Sequence, residues 1–182
     1  MEEIALRIRV YGDISLRKKA RPVRKITKYH RAILSQMARL MYAESGVGLA
    51  APQVGFDEAM IVADIGSGLY KLINPVIVSK QGAQAIEEGC LSVPGVCVKV
   101  KRAKNVVIQA QDEDGRPVSI NAEDLLACVM QHEIDHLRGK LIIDYASLFK
   151  KISVRKKLAA MKQASKNEKM HQSSEKSCEL QL

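Results

Sequence analysis

Residues 128–139, CVMQHEIDHLRG, place two histidines four positions apart with a glutamate directly after the first. On a helix, His132 and His136 lie one turn apart on one face, so the two rings can share a divalent cation. Glu133 then points to the side where a water molecule could sit, as a general base requires. The alternative is an ordinary helix with core histidines and a salt-bridged glutamate, and the HExxH spacing alone leaves both open.

A helical wheel at about 100° per residue favours the metal site. His132, Glu133 and His136 fall within an apolar arc that also holds Leu125 and Val129. Burial of an unpaired carboxylate costs several kcal/mol, and a cation beside it removes much of that cost. The opposite arc, which we predict to face solvent, contains Gln131, Asp135 and Arg138.

The third ligand must come from elsewhere in the chain. One metalloprotease pattern needs a histidine three residues after Gly139, but that position is Ile142, and the next glutamate downstream is Glu168 in a basic tail. Upstream, Cys90 lies in EGCLSVPG, a loop shaped by glycine and proline. One thiolate and two imidazoles form a three-ligand site that leaves a position open for water, which is the layout of a catalytic centre.

The remaining cysteines and histidines fit a ligand role less well. Cys97 lies in a strand pattern, Cys128 on the polar edge of the helix and Cys178 near the chain end, so we expect small buried residues or a free tail thiol. Without a CxxC pair, thiols or metal ligands are expected rather than disulfides. His30 and His171 are predicted to lie on the surface.

The elements that position these residues follow from periodicity. The spacing predicts a helix over 28–44 with Thr27 at its start, and a glycine-rich turn over 46–55. Apolar runs rich in Ile and Val predict strands at 59–65 and 70–79, and alternation predicts strands at 96–103 and 105–111. Residues 87–95 are predicted to form a loop, and the tight turn DEDGRP at 112–117 indicates hairpins of an antiparallel sheet.

The histidine-bearing helix is predicted over about 122–138. Asn121 is a good N-cap, Asp124 is placed for a capping box, and Gly139 is suited to end the helix. Residues 146–170 carry an apolar rhythm between basic residues, which predicts a C-terminal helix. The order of elements predicts an α+β fold, with antiparallel sheets packed around a central HExxH helix and a C-terminal helix. We expect one catalytic domain over 1–165 and a polar, disordered tail over 166–182.

Charge is distributed unevenly along the 182 residues. The net charge is +9, but residues 1–31 hold ten Lys/Arg against three Asp/Glu, and residues 150–182 hold nine against three. Basic ends favour an anionic partner such as RNA or a membrane surface, although a solvated surface explains them equally well. The sequence displays no signal peptide or transmembrane span, so we expect a cytoplasmic protein without a membrane partner.

Three segments, GVGLAAPQ, EGCLSVPG and QHEIDHLRG, together resemble the signature motifs of peptide deformylases. The likeness extends from about residue 4 to about residue 163. It implies hydrolytic removal of the formyl group from the N-terminal formylmethionine of newly synthesised polypeptides. By this resemblance, water activated by the metal is the nucleophile and Glu133 is the general acid and base. The side-chain amide of Gln53 and the backbone N–H of Leu91 would stabilise the developing oxyanion.

The resemblance also bears on substrate and metal. The backbone of Gly46, Val47 and Gly48 is open to a peptide added as a strand, although a simple loop explains it as well. Leu125 and Val129 are one turn apart and would line the methionine pocket, or else belong to plain core. The ligand types suit Zn(II), Fe(II), Co(II) or Ni(II), and the resemblance implies Fe(II) as the physiological ion.

Two other functions remain open at this point. A zinc endopeptidase would share the helix but offers no reason for Cys90 or GLAAPQ. A binding protein stapled by a structural metal would use the basic ends for RNA, but such a site is normally closed by a fourth protein ligand. The resemblance further implies that the substrate is met at the ribosome, where the basic C-terminal helix could dock.

Overall fold

The computed structural model describes residues 6–178, with side chains described as far as residue 167, and confirms the predicted α+β fold. Two antiparallel sheets pack with three α-helices. The helices are α1 (Lys28–Ala43), α2 (Asp124–Leu137) and α3 (Leu148–Cys178). The strands are β1 (Gly48–Ala50), β2 (Met60–Ala63), β3 (Tyr70–Gln81), β4 (Gln84–Glu88), β5 (Val98–Arg102), β6 (Asn105–Gln111) and β7 (Pro117–Glu123).

The larger sheet has the strand order β1-β2-β3-β6-β7, and all of its pairings are antiparallel. β2 is buried on both faces because α1 covers one side of the sheet and α2 the other. Met60 and Val62 pack with α1, whereas Ile61 and Ala63 pack with α2, as the alternation of side chains along a strand requires. α2 is therefore held against the centre of the sheet.

The smaller sheet pairs only β4 with β5 and lies next to the C-terminal part of the chain. Val98 and Val100 of β5 are buried with Leu141, Ile142 and Ile143, which follow α2. α3 covers this cluster with one apolar face, whose members are Val154, Leu158 and Met161. Leu158 and Met161 of the predicted apolar rhythm thus dock on the core, whereas Leu148 and Ile152, which belong to the same predicted rhythm, are exposed.

The limits of α2 differ from the sequence expectation at one end. Asn121 is not its N-cap, because Asn121 pairs with Val107 inside the β6–β7 hairpin and the helix begins only after Glu123. Asp124 is the first helical residue and is no capping-box acid. At the other end Gly139 adopts φ +72°, and a Cβ there would lie 2.6 Å from the carbonyl oxygen of Arg17. The expected end of the helix at a glycine is confirmed.

Several local predictions are corrected by the structure. The segment 46–55 is not a simple turn, since it contains β1 and a 3-10 helix over Ala51–Val54. β4 lies partly within the segment predicted as a loop, and β7 occupies residues for which no strand was predicted. β5 and β6 do not pair with each other, because β5 joins β4 and β6 joins β3 and β7. The hairpin at 112–117 is confirmed.

A disordered tail was expected to begin at residue 166, but α3 continues to Cys178. The last four residues of the expected tail lie outside the described residues. The division of the chain into a catalytic domain and a tail stays a prediction. Among the helices of residues 6–178, none combines the length and the apolar character that crossing a membrane requires.

Candidate metal centre

The structure brings together the three residues predicted to bind a metal. His132 and His136 project from the middle of α2, and Cys90 follows the end of β4 by two residues. Cys90 Sγ lies 3.3 Å from His136 Nε2, which in turn lies 3.2 Å from His132 Nε2. One ligand atom from each of the three residues lies within 4.8 Å of the other two.

The donor set fits a divalent cation. A thiol and two imidazoles, whose Nε2 atoms face one another, bring three ligand atoms to one place. Soft or borderline divalent metals bind such sulfur and nitrogen ligands. Burial, together with the neighbouring His132, keeps the pKa of His136 well below its usual value, so this ring offers a lone pair. Burial also opposes protonation of His132, but hydrogen bonds with Cys90 and Glu88 outweigh it and raise the pKa of His132.

A buried polar network supports His132, and the sequence analysis did not identify it. His132 Nδ1 lies 2.9 Å from Glu88 Oε2, and Arg102 binds both oxygens of the Glu88 carboxylate. Burial alone would raise the pKa of Glu88, but His132 and Arg102 reverse the effect and lower it. The sequence offered one signal for this network, which is Glu88 two positions before Cys90 in the segment EEGC. A metal-bound histidine normally donates its other ring N–H to a carboxylate or carbonyl, so an acidic residue near the ligands is expected.

Glu133 is 3% exposed and lies against the edge strand β1. Its Oε2 atom is buried and has no hydrogen-bond partner among the described residues. Burial raises the pKa of Glu133 to about 7. A Cβ on Gly48 would lie only 2.3 Å from Glu133 Oε1, so glycine at position 48 makes room for this carboxylate. The geometry gives position 48 a steric role that the sequence analysis did not anticipate.

Gln53 lies in the 3-10 helix that follows β1 and is almost fully buried. Its Oε1 atom accepts a hydrogen bond from the backbone N–H of Ala50 at 2.8 Å. This bond directs the amide NH₂ toward Ser92 Oγ at 3.2 Å and Cys90 Sγ at 3.7 Å. Leu91 follows Cys90 directly in the chain. Gln53 and Leu91 thus both lie beside the candidate ligand thiol, and Ser92 is a buried neighbour that sequence reasoning missed.

A cleft of about 560 Å³ leads to this cluster. Gly46, Val47 and Gly48 line it, and Gly48 is the first residue of β1, which is the outer strand of its sheet. Residues 86–91 and several side chains of α2 also line it. Leu125 and Val129 line the cleft as well. Leu125 is 51% exposed and so is not plain core, whereas Val129 is buried and also packs in the core.

The prediction that Gln131, Asp135 and Arg138 of α2 face solvent is wrong for two of the three residues. Gln131 and Asp135 are buried, and only Arg138 is exposed. Gln131 exchanges hydrogen bonds with the backbone of Ala103, and Asp135 forms an ion pair with Arg102. The helical wheel was a poor guide because the middle of α2 is packed against other elements on all sides and is exposed to solvent only near its ends, so its central polar groups find partners inside the protein.

The other cysteines and histidines are distributed as follows. His30 is not a surface residue, since it is 7% exposed, and Thr27 donates its backbone N–H to His30 Nδ1 at 3.0 Å. Cys97 is exposed rather than buried, while Cys128 is buried as expected and lines the cleft. The side chains of His171 and Cys178 lie outside the described residues.

Comparisons with known proteins agree with these observations. A family model described as polypeptide deformylase matches residues 5–152. The peptide deformylase of Thermoanaerobacter pseudethanolicus is 50% identical over 142 residues, which cover 78% of this chain and 89% of that protein. The peptide deformylase of Syntrophomonas wolfei is 52% identical over 139 residues, which cover 76% of this chain and 91% of that protein.

Solved structures agree as well. A peptide deformylase from Legionella pneumophila superposes with a TM-score of 0.83 at 41% identity, covering 88% of this chain and 97% of that one. A peptide deformylase from Synechococcus elongatus, in complex with actinonin, superposes with a TM-score of 0.80 at 38% identity, covering 86% and 90%. Similarity in sequence and in fold extends over most of both partners, and the chain belongs to the polypeptide deformylase family of hydrolases.

Proposed function

We propose that this enzyme removes the N-formyl group from the formylmethionine at the start of newly synthesised polypeptides, with Cys90, His132 and His136 holding a divalent cation. The observation that carries the proposal is the convergence of these three ligand atoms next to a buried, unpartnered glutamate that lines a cleft. A cation held there would polarise the formyl oxygen and lower the pKa of a bound water toward about 7.

Glu133 is the proposed general acid and base. Its carboxylate takes a proton from the attacking water and then delivers a proton to the leaving amine, which completes cleavage of the formyl C–N bond. A pKa of about 7 suits both steps, because a group titrating near the working pH can accept and donate a proton. Gly48 supports this role, since any larger residue would displace the carboxylate.

Gln53 and Leu91 are the proposed donors to the oxyanion. The carbonyl oxygen gains negative charge as the formyl carbon becomes tetrahedral, and fixed N–H groups stabilise that charge without reorganising. The Gln53 amide is oriented in advance, because Ala50 holds its oxygen and leaves its NH₂ directed toward Cys90. The Leu91 N–H belongs to the residue next to that cysteine in the chain.

The peptide is proposed to bind along β1 as an added strand. β1 pairs with β2 on one side, and Gly46, Val47 and Gly48 face the cleft on the other. Backbone hydrogen bonds to an edge strand accept many sequences, which suits an enzyme that meets every new polypeptide. The methionine side chain would enter between Leu125 and Val129, whose side chains line the cleft.

Hydrolysis of defined peptides tests the reaction. We expect the metal-loaded enzyme to release formate from formyl-Met-Ala-Ser, with little release of acetate from acetyl-Met-Ala-Ser and no cleavage of an internal peptide bond. The Glu133→Gln variant is the matched control, because it keeps the size of the side chain and removes its base. Cleavage of internal bonds would identify an endopeptidase, and absence of formate release with every divalent ion would refute the proposal.

Fe(II) is the proposed physiological ion, and Zn(II), Ni(II) or Co(II) are expected to substitute in the purified protein. A thiolate ligand beside Fe(II) would make the centre sensitive to oxygen. Purification without oxygen, followed by elemental analysis, should give about one Fe per chain, and exposure to air should lower both activity and Fe content. Full activity after air exposure with Zn alone would contradict the assignment of Fe(II).

The substrate implies action in the cytoplasm, and we propose that the basic α3 docks on the ribosome. Val154, Leu158 and Met161 of this helix pack against the core, whereas Lys151, Arg155 and Lys156 are exposed. Lys151→Glu combined with Arg155→Glu should weaken ribosome cosedimentation, and salt should weaken binding of the unmodified enzyme. Lys80→Glu, an exposed charge reversal on β3, is the control. Equal cosedimentation of both variants would contradict docking through α3.

A further inference from the structure

Arg102 is a charged side chain near the candidate metal centre that hydrogen-bonds to two carboxylates, although none of its hydrogen bonds is to Cys90, His132 or His136. It lies at the end of β5 and is 7% exposed. Its Nε donates to Glu88 Oε1 at 2.8 Å and one Nη donates to Glu88 Oε2 at 3.0 Å. The other Nη donates to Asp135. The planar guanidinium thus joins two carboxylates that come from two different elements.

The first carboxylate sets the orientation of a ligand. Glu88 ends β4, and its Oε2 atom accepts from Arg102 while lying 2.9 Å from His132 Nδ1. The two parallel bonds from Arg102 fix the plane of the Glu88 carboxylate, because a guanidinium fork matches a carboxylate in only one arrangement. The His132 ring is then held with Nδ1 toward Glu88 and Nε2 toward His136 and the cleft.

The second carboxylate ties Arg102 to the helix that carries both histidines. Asp135 lies on α2 immediately before His136, and Tyr145 also donates to Asp135, at 2.6 Å. The Tyr145 ring lies 5.0 Å from the Arg102 guanidinium carbon, so it covers the cation from one side. Cys90 follows Glu88 by two residues. Arg102 therefore connects the segment that supplies the sulfur to the helix that supplies the imidazoles.

We propose that Arg102 is a positioning residue that aligns the cysteine-bearing segment and the histidine-bearing helix so that their three ligand atoms meet. The inference rests on the proposed metal site. An ion pair that served only the stability of the fold would not need to join these two elements, and pairs of that kind are often replaceable by apolar residues without loss. A positioning role instead predicts an effect on the affinity for the metal itself.

Arg102→Lys is the informative substitution, because lysine keeps the positive charge but carries its N–H donors on one nitrogen and lacks the planar fork. It cannot hold Glu88 by two parallel bonds and Asp135 by a third. The residues around metal ligands typically contribute about 10- to 100-fold to metal affinity. We expect Arg102→Lys to weaken Zn(II) binding by a factor in this range. Lys101→Met removes a cation from the exposed face of the same strand and should leave Zn(II) affinity unchanged.

The experiment measures the Zn(II) dissociation constant of the full chain by competition with a chromophoric chelator, and the melting temperature of the metal-free protein. Weaker Zn(II) binding by Arg102→Lys, with Lys101→Met equal to the unmodified chain, supports the inference. Equal Zn(II) affinity of the two variants, with only a lower melting temperature for Arg102→Lys, would overturn it and leave a purely structural ion pair. Failure of the unmodified chain to bind Zn(II) would instead refute the metal site on which the proposed function rests.

A double-mutant cycle tests whether Arg102 acts on the metal site through Glu88. If Arg102 acts through Glu88, the combination of Arg102→Lys with Glu88→Gln should lose no more Zn(II) affinity than the weaker-binding single variant. Losses that simply add would contradict action through Glu88. Should circular dichroism show that Arg102→Lys is unfolded, Asp135→Ala takes its place, since alanine offers no acceptor to Arg102 and the Glu88 pair is kept. Zn(II) affinity of Asp135→Ala equal to that of the unmodified chain would then overturn the inference.

Discussion

Gly48→Ala offers a direct test of how the proposed peptide-binding strand and the proposed general base, Glu133, share space. A Cβ at position 48 would lie 2.3 Å from Glu133 Oε1, 2.8 Å from its Cδ and 3.0 Å from its Cγ. Ordinary van der Waals contact begins at 3.4 Å, so the nearest carboxylate oxygen must move by about 1 Å. Gly48 is in β1 and is not among the glycines with positive φ, so alanine is acceptable to the backbone itself.

The cost should appear in catalysis rather than in folding or metal binding. A displacement of about 1 Å in a catalytic group can reduce the rate by about 10²-fold, which corresponds to about 2.7 kcal/mol of barrier. The three atoms nearest to that Cβ all belong to Glu133, and none belongs to Cys90, His132 or His136. We therefore expect kcat on formyl-Met-Ala-Ser to fall by about two orders of magnitude, while metal content stays at one ion per chain.

Steady-state kinetics with elemental analysis measures both quantities. Glu133→Asp shortens the clashing side chain, so the further loss caused by Gly48→Ala should be smaller in that background than in the unmodified enzyme. The reasoning is refuted if Gly48→Ala retains kcat. It is also refuted if only KM rises, since the added methyl group would then obstruct the peptide and leave Glu133 where it is.

The remaining predictions concern the metal and the residues around it. Glu133→Ala should keep the metal and lose at least about 10²-fold in turnover, and retained activity would mean that another group moves the proton. Cys90→Ala should lose most of the metal by elemental analysis, and a full metal content would show that a different residue closes the site. Gln53→Ala should lower kcat by about 10²- to 10³-fold with metal unchanged, whereas a change confined to KM would exclude it as an oxyanion donor. Chelation should lower the melting temperature by several degrees, reversibly on adding Zn(II), because the ion binds the folded state.

Local patterns predicted much of the architecture because they depend on neighbouring residues alone. α1 begins after Thr27 as expected, and Gly139 ends α2 because its positive φ and the close approach of Arg17 exclude a side chain. The strands β2, β3 and β6 followed from apolar runs and alternation. The three ligand candidates were recoverable as well, since two of them follow from helical spacing and Cys90 from its loop and from the family resemblance.

Partners distant in sequence were harder to predict. Asn121 has the side chain of a good N-cap, but pairing between β6 and β7 keeps it in a strand. His30 lies in a charged segment and was predicted to be a surface residue, but Thr27 and Glu58 lie beside its ring. Arg102 and Asp135 are 33 positions apart, and neither periodicity nor composition indicates that they form a buried ion pair. These placements depend on which elements become neighbours in the fold, and a single sequence does not carry that information in its local pattern.

The burial of α2 explains why its polar residues fall into two groups. Gln131, Asp135 and His132 each have a hydrogen-bond partner on another element, as buried polar groups require. Two buried atoms on α2, Glu133 Oε2 and His136 Nδ1, have no hydrogen-bond partner among the described residues, and burial raises the pKa of Glu133. A carboxylate left unpaired in this way destabilises the fold, so a purely structural helix would favour another residue at this position. The same lack of a partner would leave Glu133 free to exchange a proton in the cleft, as its proposed role of general acid and base requires, whereas a metal that only stabilised the fold would need no such residue beside it.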